Sequence, residues 1–403
     1  MGFFDARRAP AVVKHGLLFR YCPAFANKAG SVTRGRVTFL DGYAGAGCYD
    51  DDTPGSPLVM LRSVHKLRDR LDINAVFIEK DLKTYSKLEQ VLRHRCAGQP
   101  YAALSGDVDQ HLDQVMASCR GRALFAFFDP FGPALSRDRL WTLLRQRRLA
   151  GMPTDVLLHI SVRSVWNFGS RLTKARREGR ALSPRDVKLA ERLDRFLGGG
   201  WWRPEFERAG ETPGDAPDGE QGGETSAAIA LRVAQQYAEK LAADSGYKTV
   251  SMPVRRQPDH APIFVLSLFT ANTQGLWLFA DCIGQAGLDW EGAWRKARLT
   301  KPARHGTANL LAENTDWVFD RDHYEATNQA AWVALIAHNI DQLLDQHAAL
   351  VLQHHVADVF GTTLGSGARA KHARLAVKQL YKQGRVDHNG TGDFERARMS
   401  RPR

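Results

Sequence analysis

The sequence predicts an α/β fold that is built on a parallel β-sheet. Five short apolar stretches rich in β-forming residues recur along the first part of the chain, and a segment with helical character follows each one. Such strands are typical of a parallel sheet that helices cover on both faces. Two later β-like stretches are joined by a short polar link, which predicts an antiparallel hairpin that finishes the sheet.

The predicted strands follow one another in a regular order. The five parallel strands are 36–41, 73–81, 101–107, 123–132 and 154–161, and the two hairpin strands are 247–254 and 262–271. The first four parallel strands carry an acid at their C-terminal end. In open α/β sheets ligands bind beyond the carboxyl ends of the strands. These acids are therefore the first candidates for a ligand site.

The length of the chain predicts a principal domain and a smaller module. Residues 1–290 are expected to form the sheet domain, 291–324 a linker and 325–403 a basic module. A basic helical insertion with a flexible loop interrupts the sheet domain at about 163–224, and its part 209–224 is rich in Gly, Pro and acids. In the last module, a helix with Leu375, Val377 and Leu380, a turn at Gly384, a short strand and a polar loop resemble a winged helix.

The composition favours a polyanionic partner. The chain carries 56 Lys and Arg against 44 Asp and Glu, which gives a formal net charge of +12. A host with a generally basic proteome would produce the same excess.

The cysteine pattern and the absence of long apolar runs predict a cytoplasmic protein. The five cysteines are scattered singly, with no CxxC pair and no histidine at zinc-finger spacing. The adjacent His354 and His355 would point to different sides of a helix, so no metal site is expected. Neither a signal peptide nor a run of ~18 apolar residues occurs. We therefore expect reduced thiols and no contact with a membrane.

The stretch DGYAGAG at 41–47 places three glycines directly after the first strand. Glycine allows another molecule to approach the backbone closely. A P-loop would need GK followed by Ser or Thr, and a dinucleotide fold would need GxGxxG, whereas the pattern here is Gly42-x-x-Gly45-x-Gly47. Asp41 would meet a pyrophosphate unfavourably, so the stretch favours a cationic ligand.

S-adenosylmethionine (SAM) fits this requirement. Its cationic groups, its ribose hydroxyls and its adenine amino group match, in order, Asp41, Glu79 and Asp107 at the ends of three successive strands. Carboxylates bound to such groups form charge-assisted contacts, roughly twice as strong as neutral ones. Alternatively, each acid is the N-cap of the following helix. The predicted SAM pocket comprises Asp41, Gly42, Tyr43, Gly45, Gly47, Glu79, Lys80, Asp107, Val108 and Asp129.

Several motifs resemble the three-Cys-motif partner (TcmP) family. They are KHGLLFRY at 14–21, DGYAGAG with PGSPL at 54–58, FIEKD at 77–81 and FFDPFG at 127–132. The resemblance covers most of the chain up to about residue 290 and, more loosely, the C-terminal module. It implies a Rossmann-like class I SAM-dependent methyltransferase with SAM as cofactor. It also implies a partner protein that carries the three-cysteine motif, which this chain lacks. Lys14 and His15 match the opening motif and are expected to close over the cofactor, although such a pair is usually a surface feature.

The DPFG motif follows the fourth strand, where amino-group methyltransferases carry Asp or Asn, two prolines and an aromatic residue. By that similarity Asp129 would orient the target amino group, the carbonyl of Pro130 would assist, and Phe131 would stack on an extruded base. The aromatic residue stands one position early, with Gly132 fourth, so the motif departs from that pattern at the stacking position. Alternatively, Asp129 caps the next helix and Phe131 belongs to the core. His159, at the end of the fifth strand, is either a further pocket residue or a buried histidine with satisfied hydrogen bonds.

Two basic regions are candidates for a nucleic-acid interface. The candidate residues are Arg171, Lys174, Arg176, Arg177 and Arg180 in the insertion, and Lys371, Arg374 and Lys378 in the last module. A run of charge is also typical of a solvated face, and a winged helix also serves protein contacts.

The sequence thus predicts a SAM-dependent methyltransferase that acts on DNA or RNA, on an exocyclic amino group of a base. Two alternatives stay open. One is a non-catalytic protein that binds SAM or a nucleotide and works with a three-cysteine-motif partner. The other is a methyltransferase that acts on protein or on a small molecule.

Overall fold

A mixed α/β unit with a mostly parallel sheet forms the larger part of the structure, a computed structural model that describes residues 2–211, 225–299 and 317–402. The chain divides into two units. Phe25–Ala271 form the sheet unit, and Met1–Ala24 together with Asn272–Arg403 form the second unit. The division thus lies before the predicted linker, and the N-terminal segment belongs with the C-terminal one. Neither feature has a local sequence signal.

The strands of the sheet unit lie close to their predicted positions. They are β1 Arg36–Asp41, β2 Asp72–Glu79, β3 Tyr101–Ser105, β4 Ala123–Phe128, β5 Thr154–Ile160, β6 Lys248–Val254 and β7 Phe264–Thr270. Helix α1 (Gly2–Gly30) precedes them and ends within this unit. The other helices are α2 Ser56–Leu67, α3 Leu82–Arg95, α4 Val108–Ser118, α5 Arg137–Leu149, α6 Val162–Arg177, α7 Pro184–Leu197, α8 Arg203–Glu211 and α9 Ser226–Ser245.

Within the described residues, seven strands form one sheet in the order β3-β2-β1-β4-β5-β7-β6. The first five strands of the chain pair in parallel, whereas β7 is antiparallel to both of its neighbours. The prediction of parallel strands finished by an antiparallel hairpin is therefore confirmed. The strand order reverses between β1 and β4, and in open α/β sheets ligands bind beyond the carboxyl ends at such a switch point.

The sheet is buried on both faces, as its apolar strands predict. All six residues of β4 and all seven of β7 are buried. On one face Phe39 and Phe125 meet edge to face, with ring centroids 6.3 Å apart. On the other face Phe128 belongs to a core cluster that includes Leu143 of α5 and Val233 of α9. This packing fixes the position of the strand ends, where the acids lie.

The segment from α6 to α8 is helical, as predicted for the insertion, and it shares the core of the sheet unit. Trp202 and Phe206 are buried in the same cluster as the sheet residues. Gly169 permits this close packing, because a Cβ there would lie 2.2 Å from the ring of Phe206. The hydroxyl of Thr173 also donates to the Phe206 carbonyl at 2.9 Å. Most of the predicted flexible loop at 209–224 lies outside the described residues.

The second unit is mainly helical in its described part. Its elements are α10 Thr273–Leu299, α11 Arg321–Gln346, α12 Val356–Phe360, α13 Ala370–Lys382 and the short antiparallel strands β8 Ala349–Val351 and β9 Arg398–Ser400. The predicted module helix corresponds to α13, which buries Val377 and Leu380 but leaves Leu375 37% exposed. Gly384 follows with a φ of 66°, and no strand comes directly after it in the described chain. A winged helix stays a prediction.

Arg147 of α5 connects the segments that lead into β4 and β5. Its buried guanidinium donates to Oγ1 of Thr154 at 2.7 Å and to the carbonyl oxygens of Cys119 at 3.0 Å and Arg122 at 2.5 Å. Burial lowers the pKa of Arg147. These acceptors satisfy a buried cation, so the side chain helps to set the position of the two strands.

Replacing Arg147 by Leu should lower the free energy of unfolding by about 2–4 kcal/mol, because the acceptor oxygens would lose charge-assisted hydrogen bonds. Urea unfolding followed by circular dichroism measures this change. Arg145→Leu, at an exposed position of the same helix, is the matched control and should change stability by less than about 0.5 kcal/mol. Equal midpoints for the two variants would show that the buried guanidinium does not stabilise the sheet.

Candidate functional site

Four acids lie along the carboxyl edge of the sheet. Asp41 and Glu79 are the last residues of the neighbouring strands β1 and β2. Asp107 follows β3 as the N-cap of α4, and Asp129 follows β4 directly. Because β1 and β4 flank the switch point, Asp41 and Asp129 stand where a ligand is expected.

The three glycines after β1, at positions 42, 45 and 47, are favoured over other residues for different structural reasons. A Cβ on Gly42 would lie 2.6 Å from Cδ1 of the buried Phe128. Gly45 and Gly47 have φ angles of 64° and 82°, in the left-handed region that favours glycine. A Cβ on Gly47 would contact Leu88, whereas one on Gly45 would meet no described atom within 4 Å. Of the three, Gly45 is therefore the position that faces open space.

The backbone N–H groups of this loop are already engaged by the protein. The bonds are Gly42 to the Phe127 carbonyl at 3.0 Å, Tyr43 to the Asp41 carboxylate at 3.1 Å, Ala44 to the Ile78 carbonyl at 2.9 Å and Gly45 to the Glu79 carboxylate at 2.9 Å. A loop that cradles phosphate needs free N–H groups directed at the anion. The first residues of the glycine loop are therefore not built as a phosphate cradle.

Asp41 is a buried acid with one unpaired oxygen. It is 0% exposed, and its Oδ2 accepts no hydrogen bond of good geometry from the described residues, although Ser56 lies close enough to favour its charged form. Burial raises the pKa of Asp41 from 3.8 to about 7, and the charges of Asp129 and Glu79 add to this shift. A cation at Oδ2 would compensate both the burial and the repulsion.

Glu79 holds the glycine loop in place. Its Oε2 accepts the N–H of Gly45 at 2.9 Å, and its Oε1 accepts the N–H of Asp81 at 2.8 Å. Each oxygen keeps a second lone pair that can accept a hydroxyl group of a ligand. Glu79 therefore has a structural role beside the predicted ribose contact.

Asp107 has the N-cap role that the sequence left open. Its side chain accepts the N–H of Asp109, and Gln110 completes the capping box of α4. Nζ of Lys80 lies 2.8 Å from Oδ2 of Asp107. Burial alone would raise the pKa of Asp107, but the contacts with Lys80 and Asp109 outweigh it and lower the pKa. The predicted adenine contact stays a prediction for an acid whose charge is already paired.

Tyr43 and Val108 pack beside the glycine loop. Val108, the first residue of α4, is buried, and its Cγ2 lies 3.2 Å from the place that a Cβ on Gly42 would occupy. Tyr43 is partly buried against the same core, and burial raises the pKa of its phenol, with a smaller contribution from the charge of Asp107. Both residues thus shape the predicted pocket through packing.

The DPFG segment is a loop and not a helix cap. Helix α5 begins at Arg137, and its N-cap is Ser136, so the alternative in which Asp129 caps this helix is wrong. Pro130 is buried, whereas Phe131 is fully exposed. Phe131 therefore does not belong to the core, and its ring is accessible.

His159 of β5 lies against Asp129. Its Nδ1 is 3.4 Å from Oδ1 of Asp129, and its ring packs edge to face on Phe264 of β7 with centroids 4.4 Å apart. The imidazole is held between the two side chains, so it limits the orientations that the carboxylate can adopt.

Two residues without a predicted role also influence this edge. Burial, followed by the charges of Asp129 and Asp41, raises the pKa of Tyr49 to about 12. Ser56, the first residue of α2, lowers the pKa of Asp41. Ser56 belongs to the PGSPL motif, so the sequence contained a signal for its role. Tyr49 had no sequence signal, because its proximity to Asp129 depends on the path of the loop.

Most of the predicted basic residues near α6 are compensated by acids in the sheet unit. Their ion pairs are Arg171 with Asp186 at 2.5 Å, Lys174 with Glu178 at 3.7 Å, and Arg180 with Glu178. Arg176 and Arg177 are exposed on the same helix. The net positive charge of this face is therefore smaller than the sequence alone predicts.

The remaining predicted residues belong to the second unit. Lys371 pairs with Glu325. Arg374 donates to the carbonyl of Gly390 at 2.7 Å and covers the ring of Phe394 at 4.4 Å, so it stabilises the polar loop. Lys378 lies on α13 and Lys14 on α1. Their contacts with nucleic acid and with a cofactor stay predictions.

The comparisons with known proteins give no family for this chain. No protein-family model matches the sequence, and a search of curated proteins found no significant match. Among the described residues, no group of three or more His, Cys, Asp or Glu side chains is arranged to hold a metal ion. No helix in the described ranges is long and apolar enough to cross a membrane. The geometry of the site is therefore the basis for its function.

Replacing Asp41 by Asn should remove a pH dependence of stability. The folded-state pKa of about 7 exceeds the ordinary 3.8, so the folded protein binds this proton more tightly than the unfolded chain. The resulting stabilisation is complete below about pH 4 and is lost as the pH rises to about 7, by about 1.4 kcal/mol per pH unit. The stability of the parent relative to Asp41→Asn should follow this slope in urea unfolding and level off above about pH 7.

Asp69→Asn, at an exposed acid of the same unit, provides the control and should leave the pH profile of the parent unchanged. Parallel pH profiles for the parent and Asp41→Asn would mean that Asp41 titrates normally in the folded protein.

Proposed function

We propose that this chain is a SAM-dependent methyltransferase that acts on an exocyclic amino group of a nucleic-acid base. In this proposal SAM binds beside the glycine loop at the ends of β1 and β2, and Asp129 holds the amino group at the end of β4. The motifs that resemble the three-Cys-motif partner family support the assignment, and the confirmed sheet is of the kind that this resemblance implies.

The observation that carries the proposal is the buried carboxylate oxygen Oδ2 of Asp41 at the switch point of the sheet, which accepts no hydrogen bond of good geometry from the described residues. Leaving a buried polar atom without a partner costs roughly 1–3 kcal/mol. Such an atom in a native protein calls for an explanation, and a perturbed acid at a cleft is a typical functional group. A cationic ligand at this place explains the arrangement.

The donors and acceptors at this edge fit SAM. Asp41 can accept hydrogen bonds from its cationic end, the free lone pairs of Glu79 can accept its ribose hydroxyls, and the open space at Gly45 lets it approach the backbone. When bound, SAM supplies a methyl group on a positively charged sulfur. A pyrophosphate fits less well, because Asp41 and Glu79 would repel it and the loop N–H groups are engaged.

Asp129 is the proposed catalytic residue. Its carboxylate follows β4, which pairs directly with β1 and so lies next to Asp41. A carboxylate that accepts an N–H of the target amino group orients the nitrogen and increases its electron density. His159 is a positioning residue, because its Nδ1 contacts the Asp129 carboxylate at 3.4 Å. The carbonyl of Pro130 is a second acceptor, and the exposed ring of Phe131 can stack on a base.

Nucleic acid is the proposed substrate because the chain has a net charge of +12 and an exposed aromatic residue, Phe131, beside the amino-binding acid. A partner with the three-cysteine motif is proposed on the resemblance alone. A non-catalytic SAM-binding protein is the second candidate. It needs no nucleic-acid substrate, and the local pairing of Arg171 and Lys174 reduces the charge available for phosphates.

Replacing Glu79 by Ala should weaken SAM binding by about 1.5–3 kcal/mol, because charge-assisted hydrogen bonds to the ribose would be lost and the N–H of Gly45 would lose its acceptor. Isothermal titration calorimetry measures the affinity. Glu239→Ala, at an exposed position of α9, should bind SAM as the parent does. Absence of SAM binding by the parent, or equal affinity in Glu79→Ala, would rule out this cofactor site.

Replacing Asp129 by Ala should reduce methyl transfer by about 100-fold or more, because the amino group would no longer be held in place. SAM affinity and melting temperature should stay close to those of the parent. The measurement is transfer of a labelled methyl group from SAM into mixed DNA, RNA and protein pools. Asp129→Asn keeps an acceptor oxygen and should retain part of the activity, while Asp138→Ala, at an exposed acid of α5, should retain all of it.

The distribution of label separates the candidates. Label in protein alone would replace the nucleic-acid substrate with a protein. SAM binding without transfer into any pool, tested with the three-cysteine-motif partner present, would favour the non-catalytic candidate. Full activity in Asp129→Ala would remove this residue from the chemistry.

A further inference from the structure

A cavity of about 530 Å³ opens beside the carboxyl end of β5. Its walls come from the first turns of α6, the start of α9 and the loop between β6 and β7, all within the sheet unit. Its volume falls in the range of about 300–1,000 Å³ that is typical of ligand pockets. The residues that give it chemical character are Arg163, Trp166, Arg256, Asp259 and His260.

Trp166 offers an aromatic surface in this cavity. It is 41% exposed, although α6 buries the neighbouring Val162 and Val165 against the core. An exposed tryptophan in a concave site is a platform for a planar ring, since stacking of a base on such a side chain contributes about 1–3 kcal/mol by alanine substitution. The side chain therefore favours an aromatic ligand.

Arg163 and Arg256 give the cavity a positive charge that exceeds the single negative charge of Asp259 in its lining. Neither guanidinium forms an ion pair within the described ranges of the chain. This differs from the C-terminal half of α6, where Arg171 is paired with Asp186. Guanidinium groups that form no ion pair with the described acids, beside an aromatic platform, match a ring that carries phosphate.

The cavity adjoins the candidate active site. The N–H of Arg163 donates to the carbonyl of Ile263 at 3.1 Å. The next residue is Phe264, the first residue of β7, and its ring packs on that of His159 with centroids 4.4 Å apart. From the other direction, a Cβ on Gly132 would lie 3.4 Å from Oγ of Ser164, so the DPFG loop lies against the first turn of α6. A ligand in the cavity is therefore a neighbour of the group held by Asp129.

From this arrangement we infer that the cavity is the subsite for a nucleotide next to the target base. Its base stacks on Trp166, and its phosphates pair with Arg163 and Arg256. The inference deepens the proposed function, on which it rests for the reaction but not for the binding of the strand. It also moves the principal contact with nucleic acid from the C-terminal half of α6 to its N-terminal half.

The polar residues of the cavity favour a nucleotide over an acidic peptide. Asp259 can accept hydrogen bonds from the amino or ring N–H groups of a base, whereas the carboxylate side chains of such a peptide offer no donor to it. His260 adds a second group that can bind the edge of a base. Asp259 and His260 thus match the polar edge of a base, the ring of Trp166 matches its face, and the two arginines match the phosphate.

The test is fluorescence anisotropy of the full-length protein with labelled single-stranded DNA and RNA oligonucleotides of mixed sequence. Trp166→Ala should weaken binding about tenfold or more, and Trp166→Phe should keep most of the affinity because the platform remains. Arg256→Ala should weaken binding and reduce the slope of log affinity against log salt by about 0.7. Arg185→Ala, at an exposed position of α7, is the charge control and should have a smaller effect on both.

The outcomes for the subsite and for the proposed function can be told apart by calorimetry with SAM and by the methyl-transfer assay. Equal oligonucleotide affinity in the parent and Trp166→Ala overturns the subsite, even if SAM binds and methyl transfer occurs. A Trp166-dependent affinity with no methyl transfer overturns the proposed function and leaves the subsite. Failure of the parent to bind either oligonucleotide at low salt, or binding of an acidic peptide through Trp166 in its place, overturns the subsite.

Discussion

The burial of the Asp41 carboxyl group is the constraint on which the candidate site depends. The acid ends a central strand, and the neighbouring strands bring Glu79 and Asp129 to the same edge. A protein interior disfavours the charged form of such a group, and nearby like charges disfavour it further. The free protein accommodates this by a pKa of about 7, so that near neutral pH the proton is easily released. A cation that arrives at Oδ2 then needs little additional work to ionise its partner.

The loop around this acid is preorganised by residues from other strands. Glu79 of β2 binds the N–H of Gly45, and Phe128 of β4 fills the space that a side chain on Gly42 would occupy. The N–H of Gly55 closes the loop on the carbonyl of Gly47 at 2.8 Å. A loop that is fixed in this way loses little conformational freedom when a ligand binds. The hydrogen bonds that engage the N–H groups of residues 42–45 also withdraw them from a phosphate, so the same contacts contribute to rigidity and to ligand choice.

Local patterns predicted the sheet well because the signal for a buried strand is contained in the strand itself. The stretch 36–41 coincides with β1, and the hairpin strands differ from β6 and β7 by one or two residues at their ends. The acids at the strand ends follow from the same pattern. The structural roles of individual residues do not follow from this pattern, because they depend on segments that are distant in the chain. Gly42 was predicted to make room for a ligand, yet in the fold it makes room for Phe128.

Ion pairing of the basic residues also could not be predicted from local sequence patterns. The sequence places Arg171 and Lys174 in a basic run, but the fold supplies Asp186 and Glu178 to them. Conversely, Arg163 and Arg256 are about ninety residues apart in the chain, and the sheet brings both to one cavity. A pattern of charge along the chain therefore states how many cations there are and not which of them stay available. That property depends on tertiary contacts.

The charges along the carboxyl edge are separated in a way that suits two ligands of opposite sign. Acids dominate at the ends of β1 and β2, while Arg163 and Arg256, which form no ion pair in the described part of the chain, line the cavity beyond β5. His159 contacts Asp129 at the acids, and Phe264, which packs on His159, directly follows Ile263 of the cavity wall. A cation placed at the arginines, or an anion placed at Asp41 and Glu79, would be repelled, which provides discrimination against the wrong arrangement as well as attraction to the right one. In the proposed function, the cationic cofactor would bind at the acids and the polyanionic strand at the arginines, and Asp129, which belongs to the acidic group, would hold the amino group on the cofactor's side.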